Sequence, residues 1–233
     1  MTNYTQWKSL VDLHEYSAIP DLGLDHFYFS KQLTTIDPWR DEDGSEDLSP
    51  ISTPSIVSDG INGNQSVLYD GVDDGHESTN PGSLGTDGAY LNVGVFELDA
   101  EASGNNTIWY NGEGGTDGIG FEARVDDGDY LINHTGNEFV RGGSTDSEPH
   151  VYVLTFDSTN VILDIDGSNV INTTISAPTE PTGPMQIAYN NNEGRHFDGF
   201  IGSAGHESAF AGSERRDNIT QKLADEFDIA TSL

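Results

Sequence analysis

Short apolar runs alternate with clusters of Gly, Asn and Asp along most of this chain. Runs of about four to eight residues that end at such turn formers are typical of β-strands. In one run Val161, Leu163 and Ile165 alternate with Asp164 and Asp166. This alternation predicts a strand with one buried face and one wet face. The predicted strands are residues 24–29, 65–69, 89–98, 106–110, 118–125, 129–133, 150–156, 161–166, 170–175, 185–189 and 196–201.

Helical spacing of apolar residues occurs near the two ends of the chain. Ile219, Leu223 and Phe227 form an i, i+4, i+8 line, which predicts a helix over residues 213–227 with Ser213 as a cap. Residues 1–19 also show near-helical spacing and end before Pro20. This segment is too short to fold alone, so we expect it to dock on the sandwich or on another protein.

About ten short strands followed by one helix favour an all-β fold, a two-sheet antiparallel jelly-roll sandwich. We therefore predict one jelly-roll domain over residues 20–233, preceded by an N-terminal docking segment over residues 1–19. The predicted helix closes the domain at its C-terminal end.

The chain is strongly acidic. It has 40 Asp and Glu residues against 9 Lys and Arg residues, which gives a formal net charge of -31. Such a charge repels itself in dilute buffer, but at about 1 M salt the Debye length is only about 3 Å and most of the repulsion is screened. The composition therefore predicts a protein of a salt-rich compartment, such as a halophilic archaeon or its virus. Regular apolar runs and 9% aromatic residues argue against an acidic disordered chain.

Several partner and cofactor classes are disfavoured by the sequence. Nucleic acid would be repelled, since the chain has no basic stripe to neutralise phosphates. No apolar run approaches the roughly 18 residues that a membrane span needs, and residues 1–10 lack the features of a signal peptide. Cysteine is absent, which rules out disulfides and thiolate metal sites. No nucleotide or phosphate motif occurs, so no organic cofactor is expected.

Several short motifs occur in a fixed order between residues 24 and 227. They are Trp39 with residues 43–44 and 47–48, then residues 61–63, 68–74, 150–157, 161–167 and 197–201. In this order they resemble the laminin-G-like members of the concanavalin A-like lectin/glucanase superfamily. The resemblance implies a jelly roll that serves mostly in carbohydrate or protein recognition, often with calcium. The chain departs from the family at Val95 and Phe96, where a Trp is typical.

An acidic stretch offers an enzymatic alternative. Glu97, Asp99 and Glu101 resemble the Glu-x-Asp-x-Glu strand of the laminarinase-like glycoside hydrolases. The resemblance implies Glu97 as nucleophile, Glu101 as acid/base and Asp99 as their hydrogen-bonded neighbour. On one strand face, two carboxyls can approach the roughly 5 Å that a retaining mechanism requires. Alternating acids are also expected on a wet strand of so acidic a chain, and Ala100 replaces a larger aliphatic residue, so we predict a protein that is not an enzyme.

Clustered carboxylates at turn spacing suggest a metal site. Oxygen ligands of this kind suit Ca²⁺ or Mg²⁺, although neither cluster matches an EF-hand loop. Solvated acidic surface is the alternative interpretation. The candidate metal ligands are Asp41, Asp43, Asp70, Asp73 and Asp74.

Aromatic side chains are candidate sugar platforms, because a pyranose ring can stack on an indole or phenol ring. Asn and Arg side chains nearby can hydrogen-bond the sugar hydroxyls. Burial of the same aromatics in the core is the alternative, since strand aromatics often pack inside. The candidate ligand-binding residues are Trp109, Tyr110, Tyr130, Tyr189, Asn191 and Arg195.

The acidity, the absence of a signal peptide and the short N-terminal segment together favour a surface protein of a halophilic virus. In this hypothesis residues 1–19 contact other virion proteins, and the jelly roll binds host envelope glycans or neighbouring virion proteins. A closed homo-oligomer such as a trimer is expected for a virion protein. The alternatives are a cellular carbohydrate-binding module and a glycoside hydrolase that uses Glu97 and Glu101.

Overall fold

The computed structural model describes residues 20–42, 44, 46–112, 117–134, 138–191 and 193–233, so the predicted docking segment 1–19 lies outside the described residues. The described chain is mostly β-structure with a helix at its C-terminal end, which confirms the predicted fold class. The strands are β1 (His26–Phe29), β2 (Ser49–Ile51), β3 (Ser55–Val57), β4 (Ser66–Asp70), β5 (Gly75–Glu77), β6 (Tyr90–Leu98), β7 (Asn105–Asn111), β8 (Ile119–Arg124), β9 (Asp129–His134), β10 (Glu138–Gly142), β11 (His150–Phe156), β12 (Asn160–Ile165), β13 (Ser168–Thr174), β14 (Met185–Ile187), β15 (Tyr189–Asn190), β16 (Arg195–His196) and β17 (Asp198–Glu207). The helix is α1 (Ser213–Phe227).

Two antiparallel sheets form the layers of the sandwich. Among the described residues, the first has the strand order β13-β12-β11-β6-β17-β4-β3, with β1 also paired to β17. We call it the helix-side sheet. The second has the order β10-β9-β8-β7-β14-β5-β2, and we call it the open sheet. The predicted hairpins are present as β8–β9 and β11–β12, and β15 pairs with β16 in a separate small hairpin.

Aromatic rings fill the space between the two sheets. Phe96 of β6 lies among the rings of Phe121, Tyr130, Tyr152 and Phe197, with centroid distances between 6.1 and 6.4 Å. All five side chains are almost completely buried. Because residues alternate along a strand, the neighbours of Phe96 on β6 point to the other side of the helix-side sheet.

Helix α1 covers that other side. Ile219, Leu223 and Phe227 are buried in a second apolar cluster together with Val93 and Val95 of β6. The predicted apolar line of the helix is therefore confirmed as its packing face. No helix in the described part of the chain is long and apolar enough to cross a membrane.

Two details of this side differ from the sequence prediction. The alternation in β12 predicts Asp164 on a wet face, but the side chain is buried because α1 lies over it, and Arg216 of α1 donates to it at 2.5 Å. The predicted cap, Ser213, is the first helical residue instead. Gly212 occupies the N-cap position, and no side chain caps the helix there.

His150, at the start of β11, lies between two carboxylates. Its Nδ1 is 2.7 Å from an oxygen of Asp166, and its Nε2 is 2.9 Å from an oxygen of Asp146. Burial alone would lower the pKa of His150, but the hydrogen bonds and charges of the two aspartates outweigh burial and raise the pKa above its usual value. The bridge joins the loop before β11 to the turn after β12.

We expect this bridge to stabilise the fold only while His150 is protonated. Because the pKa is higher in the folded than in the unfolded chain, the contribution is fully present below the unfolded value of about 6.5 and is lost as pH rises through the folded pKa. Thermal unfolding of the wild type and of His150→Gln, compared from about pH 5 to about pH 9, measures it. The gap in melting temperature should narrow as pH rises. A gap that does not change with pH would contradict the assignment.

Candidate functional site

One face of the open sheet points away from the core. On β8, Phe121 packs inside the sandwich, so its strand neighbours Gly120 and Glu122 lie on the opposite face. The residues paired with Gly120 and with Glu122 on the neighbouring strands form two rows across this side of the sheet. We call these two rows the outer face. The first row, from β14 to β10, is Gln186, Tyr110, Gly120, Asn133 and Phe139. The second row, from β7 to β10, is Thr107, Glu122, Leu131 and Arg141.

Three of the predicted sugar platforms are buried, which corrects the sequence prediction. Trp109, Tyr110 and Tyr130 are at most 1% exposed. Trp109 and Tyr130 point into the core, where Trp109 stacks on His206 at a centroid distance of 5.7 Å. Tyr110 lies on the outer face, but it is covered and occupies the space above Gly120, where an added Cβ would meet its ring at 2.7 Å. In this structure none of the three offers a free ring face to a ligand.

The other three predicted ligand-binding residues come together on the β15–β16 hairpin. The Tyr189 hydroxyl donates to the side-chain oxygen of Asn191 at 2.8 Å, and the Tyr189 ring lies 4.9 Å from the His196 ring. The backbone N–H of Asn191 donates to Gln186 at 3.3 Å, which places the hairpin over the outer face. Tyr189 and Arg195 are partly exposed and Asn191 is exposed, so the hairpin presents all three to solvent.

Arg195 anchors this hairpin to the sheet. Its Nη1 donates to both carboxylate oxygens of Glu122, at 2.7 and 2.6 Å, and its Nη2 is 2.6 Å from Glu193. The Glu122 side chain is 0% exposed and that of Arg195 is 25% exposed. Burial raises the pKa of Glu122, while the Arg195 guanidinium opposes that rise. Sequence analysis missed Glu122, although a single acid inside an apolar strand is a signal that could have found it.

The predicted metal ligands separate into two groups. Oxygens of Asp70, Asp73 and Asp74 lie within 4.8 Å of one another, at the turn that follows β4, and could bind a metal ion. Burial, together with the charges of its two neighbours, raises the pKa of Asp74. The backbone N–H groups of Val72 and Asp73 both donate to Asp70, which fixes this carboxylate in the turn.

Asp41 belongs to a different part of the molecule and serves a loop. Its carboxylate is 2.7 Å from His26 Nδ1 and accepts backbone hydrogen bonds from Phe27, Gly44 and Glu46. These contacts occupy the oxygens that a metal ion would need. The structure therefore does not place Asp41 with the acidic turn, and Asp43 lies outside the described residues.

The three acids of the enzymatic alternative do not share a strand face. Strand β6 ends at Leu98, and Asp99 then accepts a hydrogen bond from the backbone N–H of Glu101 at 2.8 Å within a turn. Glu97 points to the same side of β6 as Val95, toward α1 and away from the outer face. Burial and the nearby acids raise its pKa. The predicted geometry is wrong because the chain turns after Leu98.

Comparison with known proteins gives structural matches alone. No protein-family model matches this chain, and no curated protein does. Trypanosoma rangeli sialidase in complex with sialic acid matches with a TM-score of 0.67 at 13% identity, over 90% of this chain and 34% of the sialidase. Domain 4 of AbnA, a GH43 extracellular arabinanase from Geobacillus stearothermophilus in complex with arabinotriose, matches with a TM-score of 0.66 at 12% identity. That match covers 85% of this chain and 98% of the domain.

The W1252A mutant of HCR D/C VPI 5995 shares the same architecture, with a TM-score of 0.64 at 9% identity over 85% of this chain and 51% of that one. These likenesses show the fold. It is a β-sandwich of the concanavalin A-like lectin/glucanase type. This chain spans about a third of the length of the sialidases it matches, so the fold is what the two share. The finer laminin-G-like assignment and the viral origin stay predictions.

Proposed function

We propose that this chain is a non-enzymatic glycan-binding module and that its ligand binds on the outer face, at the β15–β16 hairpin. The observation that carries the proposal is the exposed group formed by Tyr189, Asn191 and Arg195. An aromatic ring, a carboxamide and a guanidinium supply the stacking surface and the hydrogen bonds that a sugar requires. The buried Glu122 holds the guanidinium in place before any ligand arrives.

The structural matches support this choice of ligand. Domain 4 of AbnA has the same fold, is of nearly the same extent as this chain, and was solved with arabinotriose. Fold alone does not transfer a ligand, and so the sugar class rests on the chemistry of the hairpin. A carbohydrate-binding function needs neither Glu97 nor Glu101. The hydrolase alternative is disfavoured because Glu97 lies on β6 while Glu101 lies in the turn that follows it.

We further propose that the module is displayed on a halophilic virus, as a homo-oligomer, with residues 1–19 docked to other virion proteins. The net charge of -31 supports a salt-rich setting. Peptide mass spectrometry on density-purified particles tests this placement. A stoichiometric amount on the particles agrees with it, whereas recovery only in the soluble lysate contradicts it and leaves a free glycan-binding protein.

We also propose that the metal at Asp70, Asp73 and Asp74 is Ca²⁺ or Mg²⁺, because hard cations prefer carboxylate oxygens. Bound ions would offset the mutual repulsion of the three carboxylates. The test is to measure the melting temperature of the protein with Ca²⁺, with Mg²⁺ and with a chelator. An unchanged melting temperature in all conditions would contradict the metal proposal and leave the glycan proposal intact.

We expect Tyr189→Ala to weaken glycan binding by roughly tenfold, because it removes the stacking surface of the hairpin. A panel of immobilised neutral and acidic oligosaccharides, probed in molar KCl, identifies the ligand and measures the loss. The matched control is Phe210→Ala, which removes an exposed aromatic ring from the connection between β17 and α1. Equal losses in both variants, or binding to no oligosaccharide, would contradict the proposal.

A further inference from the structure

Strand β10 presents an aromatic ring and a cation at the edge of the outer face. Val140 packs against the core, so Phe139 and Arg141 lie on the opposite side of the strand. The Phe139 side chain is 50% exposed, and Arg141 is also exposed. Phe139 lies opposite Asn133 of β9, and Arg141 lies opposite Leu131. An exposed aromatic ring and an exposed guanidinium therefore lie two residues apart on one face of an edge strand.

Arg141 is unusual among the cations of this chain. Among the described residues, each Lys or Arg other than Arg40 and Arg141 donates to a carboxylate or to a backbone carbonyl. Neither of these two arginines has an ion pair or a hydrogen bond within that part of the chain. In a protein with 40 acidic residues, a cation that has no carboxylate partner in the described part of the chain is available to an external anion.

A third group on the same edge lacks a partner. The side-chain oxygen of Asn133 is buried and accepts no hydrogen bond from the described residues. An acceptor of this kind is normally satisfied by water or by a ligand. It lies opposite Phe139 in the outer-face row, so an unsatisfied polar group lies directly beneath this edge of the sheet.

Strand register places this edge close to the hairpin site. Arg141 and Glu122 lie in one row, with only Leu131 of β9 between them. Neighbouring strands are about 4.8 Å apart, so about 10 Å separates the two backbones, which is about the length of a disaccharide. The guanidinium of Arg195, held on Glu122, and that of Arg141 therefore start from backbones about one disaccharide length apart.

We propose that Phe139 and Arg141 form a subsite for an anionic sugar unit that carries a carboxylate or sulfate group. The ring of Phe139 stacks against the apolar face of the sugar. The planar guanidinium of Arg141 donates two parallel hydrogen bonds to the anion. This inference rests on the proposed glycan-binding function and narrows its ligand class to acidic glycans.

The test compares two charge-matched variants, Arg141→Gln and Arg40→Gln. Each removes one exposed cation that has no partner among the described residues. Arg40 lies next to Trp39, which bridges to Leu48 just before β2, at the opposite edge of the open sheet from β10. The probes are oligogalacturonate and its methyl ester, which differ in the charge of the sugar units. We expect wild type and Arg40→Gln to bind oligogalacturonate alike, and Arg141→Gln to bind it roughly tenfold or more weakly. The methyl ester should bind all three proteins equally.

Further arms separate the possible outcomes. Arg141→Lys keeps the positive charge but cannot donate two parallel hydrogen bonds. An affinity for oligogalacturonate between those of the wild type and Arg141→Gln therefore supports paired hydrogen bonds. Arg141-dependent binding of a sulfated oligosaccharide instead of oligogalacturonate also supports the subsite and identifies sulfate as the anion. Equal losses in Arg141→Gln and Arg40→Gln would overturn it, since only general electrostatics would remain. Binding of neutral sugars alone overturns this subsite but keeps the proposed function, whereas binding of no sugar overturns both.

Discussion

Replacing Arg195 with alanine will destabilise the fold by about 3–5 kcal/mol. The substitution leaves the carboxylate of Glu122 fully buried without the guanidinium whose Nη1 is within 2.7 Å of both of its oxygens. A buried charge without a partner costs far more than a broken surface ion pair, which is worth about 0–1 kcal/mol. Urea unfolding in molar KCl measures the loss.

A second substitution separates the two explanations for that loss. Glu122→Gln in the Arg195→Ala background removes the buried charge, so most of the lost free energy of unfolding should return. The loss in Arg195→Ala should also shrink as pH falls, because burial raises the pKa of Glu122 and protonation neutralises it. A loss below about 1 kcal/mol, unaffected by pH, would mean that water reaches Glu122.

Replacing Phe96 with alanine will cost about 3–5 kcal/mol, as expected for a large aromatic side chain deleted from a core. The Phe96 ring is 0% exposed and lies at the centre of a set of rings from both sheets. Removing it opens a cavity that neighbours on rigid strands cannot fill. Phe210→Ala is the control, since a partly exposed ring should change the free energy of unfolding by no more than about 0.5 kcal/mol. Similar losses in the two variants would contradict the assignment of Phe96 to the centre of the core.

The fold followed from local patterns in the sequence. Period-two alternation and turn residues mark most strands, and the line of Ile219, Leu223 and Phe227 marks the face of α1. Local patterns could not predict which other element of the fold packs on each face of a strand. Asp164 alternates correctly with its apolar neighbours, but α1 lies over it, and this contact joins residues 52 positions apart in sequence.

The site was predictable only where its residues are close in sequence. Tyr189, Asn191 and Arg195 belong to one hairpin, and the polar run between β15 and β16 signalled them. Glu122 and Arg141 could not be assigned to the site from sequence. Their position beside it depends on the pairing of separate strands, which no single stretch of sequence encodes.

For several aromatic and acidic residues, too, the sequence alone could not distinguish a structural role from a binding role. A strand aromatic such as Trp109 or Tyr130 suits a core as well as a sugar platform, and only burial separates the two roles. Asp70, Asp73 and Asp74 form one tight turn, so their proximity was readable from the sequence. Asp41 also lies in an acidic turn-like stretch, but its oxygens accept hydrogen bonds from the backbone of Phe27 in β1 and of Gly44 in its own loop.

The central claim is that a glycan binds on the outer face, over the β15–β16 hairpin. The most direct measurement is an NMR titration of isotope-labelled protein in molar KCl with the oligosaccharide that binds best in the panel. The account predicts that the largest saturable shift changes fall on Tyr189, Asn191 and Arg195 and extend to β10, with little change in α1. Shift changes centred on α1 or on the helix-side sheet, with the hairpin unaffected, would contradict it.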